Sequence, residues 1–379
     1  MPLPGIDRPA LKKLMMARSN EISARIKQAA REAGFELAGV AGVGDFPELD
    51  RFPDWIAAGR AGEMKYMEAR DEAGRLKRAS LHHVSPWARS VIVCAVNYNT
   101  AQPYSTQVRD PKCGWISRYA WSHEDYHEAV MKKLRFVEQK LHEIVSRERR
   151  VPSPRNRRDL QTRCYVDTGP VVERVYAKYA GIGWMAKNTC ILNQRLGSWL
   201  FLGVILTSLK LAPDLPAPDR CGTCTRCIQA CPTDALITPY QLDSNRCISY
   251  LTIEKRGGIR EEMRQGMGHH IFGCDICQDV CPWNRKAPAT DAPEFQPRPE
   301  LVNPALDWLA NMTAEEFRQI FRGSPVRRAK LSGLRRNAVI AMSNSRERRY
   351  VPLLERLASD DDRVVAETAA WALKKLKHS

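Results

Sequence analysis

The sequence predicts an α/β amino-terminal domain, then a cysteine-rich segment, then a helical carboxyl-terminal region. Three observations carry that division. Up to about residue 212, apolar runs of strand character alternate with amphipathic helical periods. Eight of the twelve cysteines then fall between Cys221 and Cys281. The last fifty or so residues are dominated by Ala- and Leu-rich helical patterns. A chain of 379 residues has room for two or three such units and a sizeable core. The expected boundaries are 1–212, 213–290 and 291–379.

Taken in order, Ser19 and Asn20 are suited to cap a helix over Glu21–Ala33, which Gly34 ends. Strand-like runs follow at Glu36–Val43, Ser90–Asn97, Arg163–Val166, Thr189–Leu192 and Trp199–Leu206. Between them, Val130, Leu134, Val137, Leu141 and Val145 recur at i+3/i+4 spacing, predicting a long helix from His123 to about Ser146. Another helix is expected to open at Pro170. Pro213, Pro216 and Pro218 mark the linker into the cysteine-rich segment, and a proline-rich stretch from Pro288 to Pro304 leads out of it. Leu334–Met342 and Val364–Leu376 read as helices with Val351–Leu357 between them. Arg336-Asn-Ala-Val-Ile-Ala-Met echoes Glu367-Thr-Ala-Ala-Trp-Ala-Leu, as HEAT-type paired helices do; an ordinary helical tail is the alternative.

The cysteines form two ordered runs. Cys221-x2-Cys224-x2-Cys227-x3-Cys231-Pro232 has the bacterial ferredoxin spacing. Cys274-x2-Cys277-x3-Cys281-Pro282 lacks one member, which Cys247 upstream can supply. In two-cluster ferredoxins the fourth cysteine of a run crosses to the other cluster. The expected ligand sets for two [4Fe–4S] clusters are therefore Cys221, Cys224, Cys227 and Cys281, and Cys231, Cys247, Cys274 and Cys277. Structural zinc fits poorly, because zinc sites favour separated pairs rather than blocks ending in Cys-Pro. No signal-peptide pattern or membrane-length apolar stretch is visible, and cluster thiolates need a reducing compartment, so a cytoplasmic protein is expected. Cys94, Cys113, Cys164 and Cys190 are expected to serve packing.

The formal net charge is +16 and the pI near 9.4. Ordinary ferredoxins are acidic, so a free electron carrier is disfavoured. Arginines crowd two places: Arg147, Arg149, Arg150, Arg155, Arg157, Arg158 and Arg163, then Arg322, Arg327, Arg328, Lys330, Arg335 and Arg336. Charge runs are commonly solvated surface, but two such clusters on so basic a chain point to a polyanion partner, and nucleic acid is the one expected.

Several segments together resemble the epoxyqueuosine reductases of the tRNA queuosine pathway. They are Arg118-Tyr-Ala-x4-Asp125-Tyr-His127, Val166-Asp167-Thr-Gly-Pro170, Ala180-Gly-Ile-Gly-Trp184-x2-Lys187-Asn188, the two cysteine runs, and Arg246-Cys-Ile-Ser-Tyr-Leu-Thr252. The resemblance covers nearly the whole chain; the arginine-rich stretch at 147–163 departs from it. It implies reduction of the epoxide at the tRNA wobble position to queuosine and water. It also implies a cobalamin on the amino-terminal α/β domain, related to the corrinoid-binding core of reductive dehalogenases, and two [4Fe–4S] clusters.

By its position Asp167 is either a helix cap or an active-site group; the resemblance implies that it is the catalytic acid, for which its pKa should be raised. Asp125-x-His127-x-x-Val130 lacks the glycine of the cobalt-ligating Asp-x-His-x-x-Gly signature, so the pair is expected to be structural or pocket-lining, with no protein ligand below cobalt. Arg78, Asp167, Lys187, Asn188, Ser198, Ser249 and Asp275 are the expected cobalamin contacts. Arg327, Arg328, Lys330, Arg335 and Arg336 are expected on the phosphates of a tRNA anticodon stem-loop. A low-potential electron donor, no membrane association and a monomer complete the expectation. The alternatives are a corrinoid reductive dehalogenase acting on small molecules, an iron–sulfur electron-transfer protein, and a zinc-stabilised RNA-binding protein.

Overall fold

The apolar runs assemble into one four-stranded sheet. Its strands are β1 (Leu37–Gly42), β2 (Ser90–Asn97), β3 (Thr162–Tyr165) and β4 (Leu200–Thr207), in the order β1-β2-β4-β3. Every pairing is antiparallel, with Ser90 opposite Thr207 and Asn97 opposite Leu200 in the central pair. The structure, a computed structural model, describes residues 8–148 and 160–377. Helices and strands mix as the sequence indicates, but the sheet is not the parallel βαβ kind in which active groups emerge at strand carboxyl ends.

Both faces of the sheet are covered, which is why β2 is buried along its whole length and apolar from Val91 to Val96. Helices α1 (Arg8–Glu32) and α2 (Tyr126–Glu148) lie on one face, and α3 (Glu173–Tyr179) on the other. The α2 stripe of Val130, Leu134, Val137 and Leu141 is fully buried against the sheet. Each such side chain contributes roughly 1.5–3 kcal/mol. Gly203 on β4 permits the close approach, since a Cβ there would stand 2.7 Å from Leu134 Cδ1.

Two helix starts differ from expectation. α1 runs through Ser19 and Asn20 instead of being capped by them, because the strong helix formers from Leu11 to Met16 need no break. α3 begins at Glu173 rather than Pro170, because the preceding residues make a turn in which Asp167 takes a positive φ of 55°.

The three sequence regions interlock. The short strand Trp115–Ile116 pairs in parallel with His270–Phe272 from the cysteine-rich segment. Helix α4 (Ile248–Ile253) follows Cys247. Beyond it, α5 (Lys330–Ser345), α6 (Val351–Leu357) and α7 (Arg363–Lys377) pack as the expected helical end. Leu334, Ala338, Val339 and Met342 of α5 join Trp115, Trp121 and Phe272 in one core. Among the described residues no helix is long and apolar enough to cross a membrane.

Two predicted phosphate contacts are corrected here. Arg336 is 1% exposed. Its guanidinium donates to the carbonyls of Leu251 (2.8 Å), Lys255 (2.9 Å) and Gly257 (2.6 Å). Asn337 beside it donates to Thr252 O and Ile271 O. Arg335 donates to Ala310 O and pairs with Asp360. A run of basic residues on a helix divides between faces, and α5 turns these two into the protein. Arg149, Arg150, Arg155, Arg157 and Arg158 lie outside the described residues.

Truncating Arg336 to Ala strands three buried carbonyls, so urea denaturation should show a loss of about 3 kcal/mol or more. Arg327→Ala, on an exposed side chain, should stay within about 0.5 kcal/mol. Equal losses would contradict this placement.

Candidate active site and cysteine centres

Each cysteine run wraps a short helix, Arg226–Gln229 in the first and Ile276–Asp279 in the second. Cys221, Cys224, Cys227 and Cys281 line one cavity of about 70 Å³, with Trp283 beside them. Cys231, Cys247 and Cys274 interact electrostatically with one another, and Cys277 with Cys274 and Cys247. The structure therefore brings the eight thiols together as two quartets, each mixing residues from both runs. Burial pushes up the thiols of Cys227, Cys247 and Cys274, and that of Cys281 to about 11. Becoming thiolate at such sites requires the compensating charge of a metal centre. An all-thiolate donor set suits an iron–sulfur cluster.

Cys94 and Cys164 are buried in the first core, as packing residues. Cys113 faces Asp110. Cys190 goes beyond packing: it contacts Cys277, which together with Arg174 pulls its thiol down to about 7 against burial, and its Sγ donates to Gln278 Oε1 at 3.4 Å.

Asp167 stands just past β3 in left-handed backbone, costly for a residue with a Cβ. Its carboxylate accepts from Tyr126 OH at 2.8 Å and lies 3.8 Å from His127 Nε2. His127 Nδ1 meets Asp125 Oδ1 at 2.7 Å. Tyr126, stacked between His127 and Phe201, fixes the array on α2. Partial burial opposes the Asp167 charge. The bonds from His127 and Tyr126, with the charges of His127 and Arg174, outweigh it and hold the carboxyl well below the usual carboxylate range. His127 loses some solvation, but its two carboxylates push it up to about 9. The expected raised pKa of Asp167 is thus corrected: near neutrality Asp167 is ionised and the proton sits on His127. The partners that decide this come from a helix some forty residues upstream.

Sequence reasoning missed Glu173. It sits in the first turn of α3, with Oε1 buried and without a hydrogen-bond partner. Burial, then the Asp167 charge, push it up to about 7. An acidic residue six positions beyond Asp167, on the helix that follows it, was the available signal.

The expected cobalamin contacts divide. Arg78 donates to Tyr66 O (2.5 Å) and Gly169 O (2.9 Å), tying down the Asp167 loop. Ser249 is half-exposed, and its amide supports the Cys247 sulfur. Four others are committed inside the protein. Lys187 donates to Gly222 O and Cys224 O, Asn188 to Cys277 O, and Ser198 is bonded to Asn284. Asp275, 3% exposed, accepts from Trp115 Nε1, Ser117 Oγ and the Arg118 amide. Their side chains hold the cysteine loops rather than offering groups to a corrin. Of the remaining cations, Arg327 and Lys330 are exposed without ion pairs among the described residues. Arg328 pairs with Glu254 and donates to Tyr66 OH, close enough to Asp167 to feel its charge.

Comparisons with known proteins agree on a family. Residues 78–168 match the family described as "Epoxyqueuosine reductase QueG, DUF1730", and residues 220–284 match "4Fe-4S double cluster binding domain". An epoxyqueuosine reductase of Synechocystis sp. is 44% identical over 290 residues, 76% of this chain and 93% of that protein. One from Xanthomonas campestris is 38% identical over 93% of this chain and 96% of its own. A solved epoxyqueuosine reductase with an epoxyqueuosine-modified tRNA-Tyr stem loop has a TM-score of 0.81 at 30% identity, covering 94% of this chain and 91% of that one. A Bacillus subtilis structure with an aspartate-bearing catalytic loop swung out of the active site has a TM-score of 0.81 at 29% identity, with the same coverage.

The array has a pH signature. His127 has a folded-state pKa near 9 against an ordinary 6.5, so its stabilisation is complete below about 6.5 and lost as pH rises through about 9. The melting-temperature gap between the parent and His127→Gln should therefore shrink across that interval. A gap independent of pH would contradict the charged pair.

Proposed function

The chain belongs to the epoxyqueuosine reductase family of oxidoreductases, and we propose that it reduces epoxyqueuosine to queuosine at the wobble position of tRNA. The observation that carries this reading is the joining of two thiol quartets to the Asp125–His127–Asp167 array through one buried segment. Asp275, between Cys274 and Cys277, binds Trp115–Arg118, and Tyr119 next in sequence senses the charges of both Asp275 and Asp167.

Deoxygenating an epoxide to an alkene takes up two electrons and two protons and releases water. Two [4Fe–4S] clusters, held by Cys221, Cys224, Cys227 and Cys281 and by Cys231, Cys247, Cys274 and Cys277, would supply electrons singly. A bound cobalamin supplies a low-valent cobalt suited to opening a C–O bond. Arg78, Ser249 and Glu173, whose Oε1 has no hydrogen-bond partner, would help to hold it. Asp167 orients toward the departing oxygen and passes on the proton that His127 holds, with Tyr126 fixing its carboxylate. This is the catalytic-acid role in relayed form. The exposed Arg327, Arg328 and Lys330 would take anticodon-arm phosphates beside the HEAT-like helices.

Reconstituted protein incubated anaerobically with cobalamin, a reductant and epoxyqueuosine-containing tRNA should yield queuosine by nucleoside mass analysis; none would falsify the reading. Asp167→Asn should slow turnover by roughly 100-fold or more. Cys247→Ala should keep about half the iron, with one cluster's spectrum intact. Arg327→Glu/Lys330→Glu should weaken stem-loop binding and lower its log–log salt slope by about 1.5–2.

A further inference from the structure

The two quartets differ in exposure. Cys224 of the Cys221, Cys224, Cys227 and Cys281 set is exposed, whereas the other seven cluster candidates are no more than partly so. The Cys231, Cys247, Cys274 and Cys277 set adjoins Asp275, whose charge Tyr119 shares with Asp167. On the two-cluster reading, an electron bound for the substrate beside Asp167 would enter at the outer quartet.

The surface around that quartet is basic. Arg220 and Arg226 line the quartet's own cavity, and Arg226 and Arg285 line an adjoining open groove of about 790 Å³. Arg220, Arg226, Arg285 and Lys286 are all exposed. No hydrogen bond or ion pair engages their side chains among the described residues. The nearby acids are otherwise occupied. Asp219 accepts from the Cys221 amide (2.7 Å) and Tyr240 OH (2.5 Å). Asp279 is 5% exposed and bonded to Ser105. Four unpaired cations thus surround the point where an electron would arrive, and none of them belongs to the Arg327–Lys330 group.

We propose that Arg220, Arg226, Arg285 and Lys286 form the docking surface for a small acidic one-electron carrier protein; this rests on the two-cluster reading above. In each encounter the carrier is oxidised by one electron and the outer cluster is reduced by one, with no bond made or broken. The cations steer the anionic partner and fix its orientation over the exposed edge.

The test uses reconstituted full-length protein and anaerobic stopped-flow bleaching of its iron–sulfur absorbance. Reduced flavodoxin, an acidic flavoprotein, is the probe, and dithionite the small-molecule control. The parent's rate with flavodoxin should fall steeply with salt. Arg226→Glu/Arg285→Glu should be about tenfold or more slower with flavodoxin, unchanged with dithionite, and unchanged in affinity for an anticodon stem-loop RNA. Arg285→Glu/Lys286→Glu, outside the first cysteine loop, should show the same pattern more weakly. An unchanged flavodoxin rate overturns the proposal, as does equal slowing by both reductants. Lost RNA affinity with normal flavodoxin reduction assigns the face to RNA and overturns it too. A parent lacking iron–sulfur absorbance would instead remove the two-cluster reading itself.

Discussion

The burial of Asp275 is the constraint on which the rest of the molecule depends. An ionised carboxylate shut away from water costs several kcal/mol unless it is bonded and balanced. Burial still raises the Asp275 pKa, and what opposes it comes from a single stretch of chain: Trp115, Ser117 and the Arg118 amide donate to it, and the buried Arg118 guanidinium supplies an opposing charge. Arg118 is itself held by the carbonyls of Thr100, Gln102 and Pro103 and by the faces of Tyr104, Trp121 and Trp199. The second cysteine loop reaches its geometry only when this segment is in place. Gly273, before Cys274, has a φ of +72° and no room for a Cβ against Ser117. Seven residues beyond Arg118, the same stretch delivers Asp125 and His127 to Asp167.

Arg336 and Asn337 impose a second condition of the same kind from the carboxyl-terminal side. They satisfy carbonyls at the end of α4 and in the His270–Phe272 strand, the two ends of the segment that joins Cys247 to Cys274. Buried polar groups of this sort specify one arrangement more than they add stability, because any displaced packing leaves several of them unpaired. The helical end is thereby part of the cofactor-bearing body, and its exposed cations hold a fixed relation to Asp167.

What the sequence made legible was local. Strand runs, the α2 stripe and the cysteine spacings each declare themselves within a few residues, and the quartets follow from a rule about where Cys-Pro sends its thiol. What it hid was pairing at a distance. The antiparallel sheet order depends on distant partners, those of the central pair about a hundred residues apart. Arg335 and Arg336 looked like their exposed neighbours because a one-dimensional charge run carries no face. Lys187, Ser198 and Asp275 read in sequence as cobalamin contacts, but their side chains are bonded to the cysteine loops and the segments beside them. The Asp167 pKa was misjudged because His127 and Tyr126, which set it, reach it only through the fold.

Those same partners explain how an ionised aspartate can serve an acid's task. A carboxyl that kept its own proton would lose the attraction of His127 and Tyr126, and with it the orientation that its strained backbone needs. Ionised, it stays fixed, while His127 and Glu173 hold protons beside it near neutrality. In the reaction proposed above, each arriving electron would make the site more negative, raise the proton affinity of Asp167 and draw a proton from its neighbours toward the substrate oxygen. Proton delivery would then follow electron delivery, and an enzyme fed one electron at a time would have a reason to store its two protons on separate groups.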